Sequence, residues 1–193
     1  MKQLTKIAIS DAFLKLLETH TIDKITIKDI AEKCEINRQT FYYHFSDIYD
    51  LMEWTLDNEI KKFWKLDCLK TMNGQETVKL LFHYLLLKRK LFLNAYDAQN
   101  RLYYGRFLYR QIAPVVQTFI QSNKKAEKVP EDKLQFMNNI YTKILVDLFL
   151  DWLDEGMQGE DSMHLDDYFT FLDGSIDSAL YRFQFPSMKL CEK

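Results

Sequence analysis

Thr26-Ile27-Lys28-Asp29-Ile30-Ala31 and, six residues on, Asn37-Arg38-Gln39-Thr40-Phe41-Tyr42-Tyr43-His44-Phe45 are the two stretches that decide the fold. Thr26 offers a hydroxyl cap, and Asp29 follows three residues later. That is a capping box with Asp in place of Glu or Gln, and it predicts a short helix over 27–34. Glu35-Ile36 leaves room only for a tight turn. Asn37 is a good cap for a third helix over 38–44. Ser46, with Asp47 and Asp50 close behind, predicts the start of a fourth helix reaching about residue 66. Upstream, Ile7, Ala8, Ala12, Leu16 and Leu17 recur at helical spacing with Phe13 beside them, so a first helix should cover 3–19. Ile27, Ile30, Ala31, Ile36, Phe41 and Phe45 would close a small core with Phe13 and Leu17. Three short helices, the last two joined by a tight turn, follow the helix-turn-helix plan.

The third helix is rich in hydrogen-bond donors. Arg38, Gln39, Thr40, Tyr42, Tyr43 and His44 stand together, and residues 36–46 contain no acid. Arg and Gln carry bidentate groups that match base edges in the major groove. Tyrosine hydroxyls and an imidazole can hold phosphates and fix the register of docking. Thr26 and Lys28, at the start of the second helix, could hold the backbone across the groove. Phe41 and Phe45 read as core. Tyr42 and Tyr43 cannot both face that core, because adjacent positions on a helix point about 100° apart.

Thr40-Phe41-Tyr42-Tyr43-His44-Phe45, preceded by Ile27-Lys28-Asp29-Ile30-Ala31, resembles the DNA-binding domain of the TetR family of bacterial transcriptional regulators. The resemblance covers about residues 5–55. It implies an all-helical homodimer with an N-terminal helix-turn-helix and a larger C-terminal domain that usually takes a small inducer. It also implies phosphate contacts for Thr26, Tyr42 and His44, and base contacts for Arg38, Gln39, Thr40 and Tyr43. Two positions depart from the family's pattern. Glu35 stands where a turn Gly is common, which implies an altered turn and an acid near DNA. Ile48 stands where a Lys often grips a phosphate, so Lys2, Lys6, Lys28 or Lys33 would have to compensate. Phe45-Ser46-Asp47-Ile48-Tyr49-Asp50-Leu51 with Glu53-Trp54 resembles a Firmicutes-type subgroup related to regulators of dihydroxyacetone-kinase operons. Some of that subgroup are activators that work through a partner protein.

The rest of the chain also reads as helix. Predicted spans are 75–88, 89–98, 101–121 with Pro114 as a kink, 130–155, and a single last helix over 165–183. The fold class is all-α, divided as residues 1–48 for DNA binding and 49–193 for ligand binding and dimerisation. Phe82, Tyr84, Phe92, Tyr96, Tyr103, Phe107 and Tyr109 are numerous for a plain helical core. With Arg106 and Arg110 as convergent polar groups they are candidates to line a ligand cavity, the alternative being simple packing. Leu134, Met137, Tyr141, Ile144, Leu145, Leu148, Phe149 and Trp152 form a wide apolar stripe. Ile144, Leu148 and Trp152, with Phe169, Leu172 and Ile176 of the last helix, are candidates for a dimer interface, the alternative being intrachain core.

Composition sets the outer bounds. Of 193 residues, five are Gly and three Pro, too few for the turns of an all-β fold. Residues 1–50 carry 7 basic and 8 acidic side chains, 51–130 carry 14 and 7, and 131–193 carry 5 and 13. Net charges of -1, +7 and -8 suggest that different parts of the chain face different partners, although solvated helix faces would look the same. The three cysteines, Cys34, Cys68 and Cys191, are far apart, which fits a reducing compartment. The first ten residues lack the apolar core of a signal peptide, and no apolar run is long enough to span a membrane. A cytoplasmic protein is expected. The histidines are isolated and no phosphate-cradling Gly-rich loop is present, so neither a metal, a cofactor nor an enzymatic activity is expected. The reading is a sequence-specific DNA-binding regulator, a homodimeric repressor released by a small-molecule inducer. The alternative is a regulator, in one form an activator, whose C-terminal domain binds a protein co-regulator.

Overall fold

The computed structural model describes residues 2–72, 74–96, 101–158, 165–172 and 174–184. Among them every regular element is helical. The chain forms two compact units, residues 1–101 and 102–193. The boundary expected at residue 48 lies inside the first unit.

The first unit holds α1 (Lys2–Leu17), α2 (Ile27–Lys33), α3 (Arg38–His44), α4 (Ile48–Trp64), α5 (Gly74–Leu87) and α6 (Arg89–Ala95), with 3-10 turns at Ile22–Lys24 and Asp67–Lys70. Its core joins Ile9, Phe13 and Leu17 of α1 to Ile30, Ala31, Phe41, Phe45, Leu51, Met52 and Leu56. Each fully buried Phe or Leu here contributes on the order of 2 kcal/mol. Two sequence expectations need correction. Ile7 and Ala8 are exposed, and Ile9 is the buried position. The inward face of α1 therefore runs through 9, 12, 13 and 17, one helical step from the face expected. Asp47, not Ser46, caps α4, its Oδ1 accepting from the Tyr49 and Asp50 amides at 2.8 Å each. Ser46 instead donates its backbone N–H and hydroxyl to Asp50 Oδ2.

Polar ties hold these helices in place. Ser10 and Thr55 share a buried hydroxyl–hydroxyl bond of 2.9 Å between α1 and α4. Asn94 of α6 donates to the Leu17 carbonyl at 2.6 Å. Glu59 of α4 is buried and takes hydrogen bonds from Lys62 and, at 2.6 Å, from Lys88. The Tyr84 hydroxyl donates to the Glu59 carbonyl at 3.1 Å. Burial pushes the Glu59 carboxyl up, but the two lysines outweigh it and hold it below the ordinary range.

The second unit holds α7 (Arg101–Gln121), a 3-10 turn (Lys124–Lys128), α8 (Glu131–Asp154), α9 (Leu165–Leu172) and α10 (Ser175–Gln184). Val116, Ile120, Ala126, Val129, Met137 and Leu180 form its core, with Tyr141, Leu145, Ile176 and Phe183 packed against them. Asp177 of α10 anchors the 3-10 turn by accepting from Asn123 at 2.6 Å and pairing with Lys125 at 3.2 Å. The last predicted helix is in fact two. Gly174 has φ +73° and precedes α10, whose Ser178 amide bonds back to the Gly174 carbonyl at 2.7 Å. That conformation interrupts a right-handed helix and suits Gly alone at low cost. α7 continues across Pro114.

Candidate nucleic-acid interface

The α2–turn–α3 segment is set by three local devices. The first is the predicted capping box. The Thr26 amide donates to Asp29 Oδ2 at 2.9 Å, and the Asp29 amide donates to the Thr26 hydroxyl at 3.2 Å. The same hydroxyl gives its proton to Asp29 Oδ2 at 2.7 Å, and this holds the Asp29 carboxyl below the usual carboxylate range. The second device is the turn. Glu35 adopts φ +55°, its amide bonds to the Glu32 carbonyl, and the Ile36 amide reaches back to the Ala31 carbonyl at 3.0 Å. This paired pattern is a Schellman motif with Glu35 at the left-handed position usually given to Gly. The third is Asn37, whose Oδ1 accepts from the Thr40 amide at 2.7 Å and the Thr40 hydroxyl at 2.9 Å.

These devices decide which side chains face outward. Phe41 and Phe45 are buried beneath α3, as the sequence predicts. Arg38, Gln39, Tyr42 and Tyr43 are exposed and occupy an arc of about 140° turned away from Phe41. Tyr42 is 57% exposed and Tyr43 65%, so the two phenols are offered to solvent rather than to a core. His44 is half-buried and packs edge-on against the Tyr43 ring. The hydroxyl protons of Thr26 and Thr40 are both engaged within the caps, so each presents an acceptor and a methyl group outward rather than a donor. Lys28 is exposed and pairs with Glu32 at 3.6 Å. Lys6 lies over the Phe45 ring at 4.8 Å and the Trp54 ring at 5.8 Å. That cation therefore helps pin the end of α3 to α4, a role with no sequence signal beyond the presence of a lysine on α1.

The other candidate residues scatter. Phe82 and Phe92 are buried and Tyr96 half-buried in the first unit. In the second unit Phe107 is buried, Tyr103 half-buried, and Arg106 and Arg110 exposed. Of the dimer candidates, Ile144, Leu148 and Ile176 are half-buried. Trp152 is 2% exposed, packs on Phe149 and donates its Nε1 hydrogen to the Gln158 carbonyl at 2.8 Å, which places its side chain in the interior of its own unit. The side chains of Phe169 and Leu172 lie outside the described residues. Two large apolar residues the sequence reading passed over, Phe136 and Ile140, are exposed on α8, and the Phe136 ring meets Phe183 of α10 edge-on. Their spacing of four is the signal that could have found them. Among the described residues no group of His, Cys, Asp or Glu is arranged to hold a metal, and no helix is long and apolar enough to cross a membrane.

Comparison with known proteins agrees with this geometry. Residues 9–53 match the family described as bacterial regulatory proteins, tetR family. Residues 73–172 match the family described as transcriptional regulator C-terminal region. The HTH-type dhaKLM operon transcriptional activator DhaS of Lactococcus lactis subsp. lactis (strain IL1403) is 29% identical over 82 residues. That stretch covers 42% of this chain and 43% of the relative, so the chain matches less than half of that protein's length. The solved structure of a dihydroxyacetone kinase operon activator DhaS superimposes with a TM-score of 0.53 over 93% of this chain and 97% of that one. At 17% identity this likeness speaks for the fold alone. With a helix-turn-helix head and a helical C-terminal region each matched in its expected place, the chain belongs to the tetR family of bacterial transcriptional regulators.

Proposed function

We propose that the protein binds a near-palindromic operator as a homodimer and reads it with α3. The observation that carries this is the exposed arc of Arg38, Gln39, Tyr42 and Tyr43, held outward by the burial of Phe41 and the Asn37 cap. Arg38 and Gln39 reach base edges, Tyr43 brushes them, and Thr40 adds an acceptor and a methyl group. Tyr42, His44 and Lys28 hold the phosphate backbone, joined by Thr26 where its hydroxyl turns its proton from Asp29 to a phosphate oxygen. Two α3 helices would enter successive major grooves about 34 Å apart. The dimer face is the flank of α8 with Ile144 and Leu148, extended by the exposed Phe136 and Ile140 and by Ile176 of α10. The protein works in the cytoplasm, where the operator is.

In the first reading it represses by occupying the operator. A small inducer bound by the C-terminal region would favour a dimer geometry that misses the groove spacing. A second reading is activation through a protein co-regulator. It is favoured by the relative that matches in sequence, an operon transcriptional activator. Selection of purified protein on random duplexes, followed by sequencing, tests the core of both. A palindromic motif with half-sites one turn apart supports the proposal, and the absence of any enriched motif overturns autonomous reading. A reporter under that motif then gives the sign of regulation.

A further inference from the structure

We propose that a groove between α7 and α8 binds a small, neutral, polyhydroxylated molecule. The groove encloses about 370 Å³ and lies wholly within the second unit. Gln117 and Gln121, one turn apart on α7, face Gln135, Asn138 and Asn139 of α8 across it. Ile120 and Leu134 supply an apolar strip. Three of these five carboxamides are engaged within the protein, each through one atom only. The Tyr109 hydroxyl donates to Asn139 Oδ1 at 2.9 Å, and the Thr142 hydroxyl to Asn138 Oδ1 at 3.4 Å. Both bonds occupy an amide oxygen and leave the NH2 group available. Gln135 reaches Glu131 only at 3.5 Å. The side chains of Gln117 and Gln121 make no hydrogen bond among the described residues.

The chemistry of the lining selects the ligand class. A carboxamide offers two donors and two acceptors, and a hydroxyl both donates and accepts, so vicinal hydroxyls pair with amides in several orientations. No Lys or Arg lines the groove and Glu131 adds a carboxylate to the lining, so a phosphate ester or carboxylate would meet like charge and no counter-charge, whereas sugar hydroxyls can donate to that carboxylate. The apolar strip suits the C–H face of a sugar ring. The space is large enough for a monosaccharide or an open-chain alditol. The site is distant in sequence from α3 and stands independently of operator recognition.

The test is an NMR titration of the full-length protein, following side-chain amide signals, with D-glucose and sorbitol as probes. Glucose 6-phosphate and spermidine serve as charged controls. The two neutral probes should give saturable shifts in the groove carboxamides, with a dissociation constant of about 1 mM for so open a site. Replacing Gln117→Leu and Gln135→Leu together should weaken binding about tenfold. Both side chains are exposed, so thermal unfolding should not move. If the double variant does not fold, Gln121→Leu alone carries the same comparison. Absence of saturable shifts with both neutral probes overturns the proposal. So does tighter binding of glucose 6-phosphate than of glucose, binding of spermidine alone, or unchanged affinity in the variants. Operator binding is measured separately on the same samples, so failure here leaves the DNA reading untouched.

Discussion

Glu35 shows how one side chain can be wrong for its backbone and still be accommodated. At φ +55° an L-residue costs roughly 1 kcal/mol relative to Gly, yet the Schellman pairing of the turn is intact. The Glu35→Gly protein should therefore be more stable by about 1 kcal/mol in urea unfolding. It should also bind DNA more tightly at low salt, because an acid is removed from the helix-turn-helix, and the gain should shrink as salt rises. Tyr42 and Gln39 divide the roles differently. Tyr42→Phe should weaken binding by a similar factor on every duplex, while Gln39→Ala should relax preference at one base position at a cost of about 1–3 kcal/mol. Parallel selections with the two variants distinguish these outcomes. The sequence made the α3 residues legible because adjacent tyrosines cannot share one buried face. It could not choose between Ser46 and Asp47 as the cap of α4, since both side chains can accept from the same amides and only the chain's path decides.

At the scale of elements, the Glu59 cluster joins α4 to the end of α5 and the start of α6. Its charge is favoured in the folded state, so the folded carboxyl titrates below the unfolded one. Such a group contributes stability above the unfolded value and loses it as pH falls through the lower, folded value. Lys88 works in the opposite sense. Burial alone would lower it, but the Glu59 bond raises it, and its contribution is lost only as pH climbs through that raised value. Glu59→Gln should cost about 1–2 kcal/mol at neutral pH, since two charge-assisted bonds are weakened while Lys62 and Lys88 keep access to water. Denaturant titrations across the acid range should show the variant with a shallower loss of stability than the native protein. Hydrophobic spacing predicted most helices to within two residues because both the caps and the apolar faces lie in local sequence. It failed at Gly174, where the apolar pattern of Tyr168, Leu172 and Ile176 continues in phase through a residue whose backbone turns the other way.

At the scale of the molecule, the proposed dimer face makes a direct demand. Ile140 is 40% exposed on α8, and an aspartate there would place an unpaired charge in an apolar contact. Ile140→Asp should sediment as a monomer, and its operator affinity should fall by about a hundredfold as the linkage between half-sites is lost. A variant that remains dimeric would move the interface elsewhere. The segregation of charge along the chain was legible from composition. The ties that bind α4 and α6 to the first helices within the compact unit 1–101 are made by single residues far apart in sequence. Asn94 and Leu17 are 77 positions from one another, and no local pattern announces the bond.

That bond also limits how freely this reading head could be shuffled in evolution. Residues 1–48 contain all the side chains proposed to meet DNA, and a cut there would look like a clean module. It would strip the Leu17 carbonyl of its donor, leave Ser10 without Thr55, and uncover the Phe45 ring where Trp54 now meets it. A fragment ending at residue 48 should show little cooperative melting by circular dichroism, whereas one ending near residue 96 should melt as a unit. Recombination that grafts a new sensor onto this head would succeed only if it inherits the chain through α6. The portable cassette is thus about twice as long as the part proposed to touch DNA.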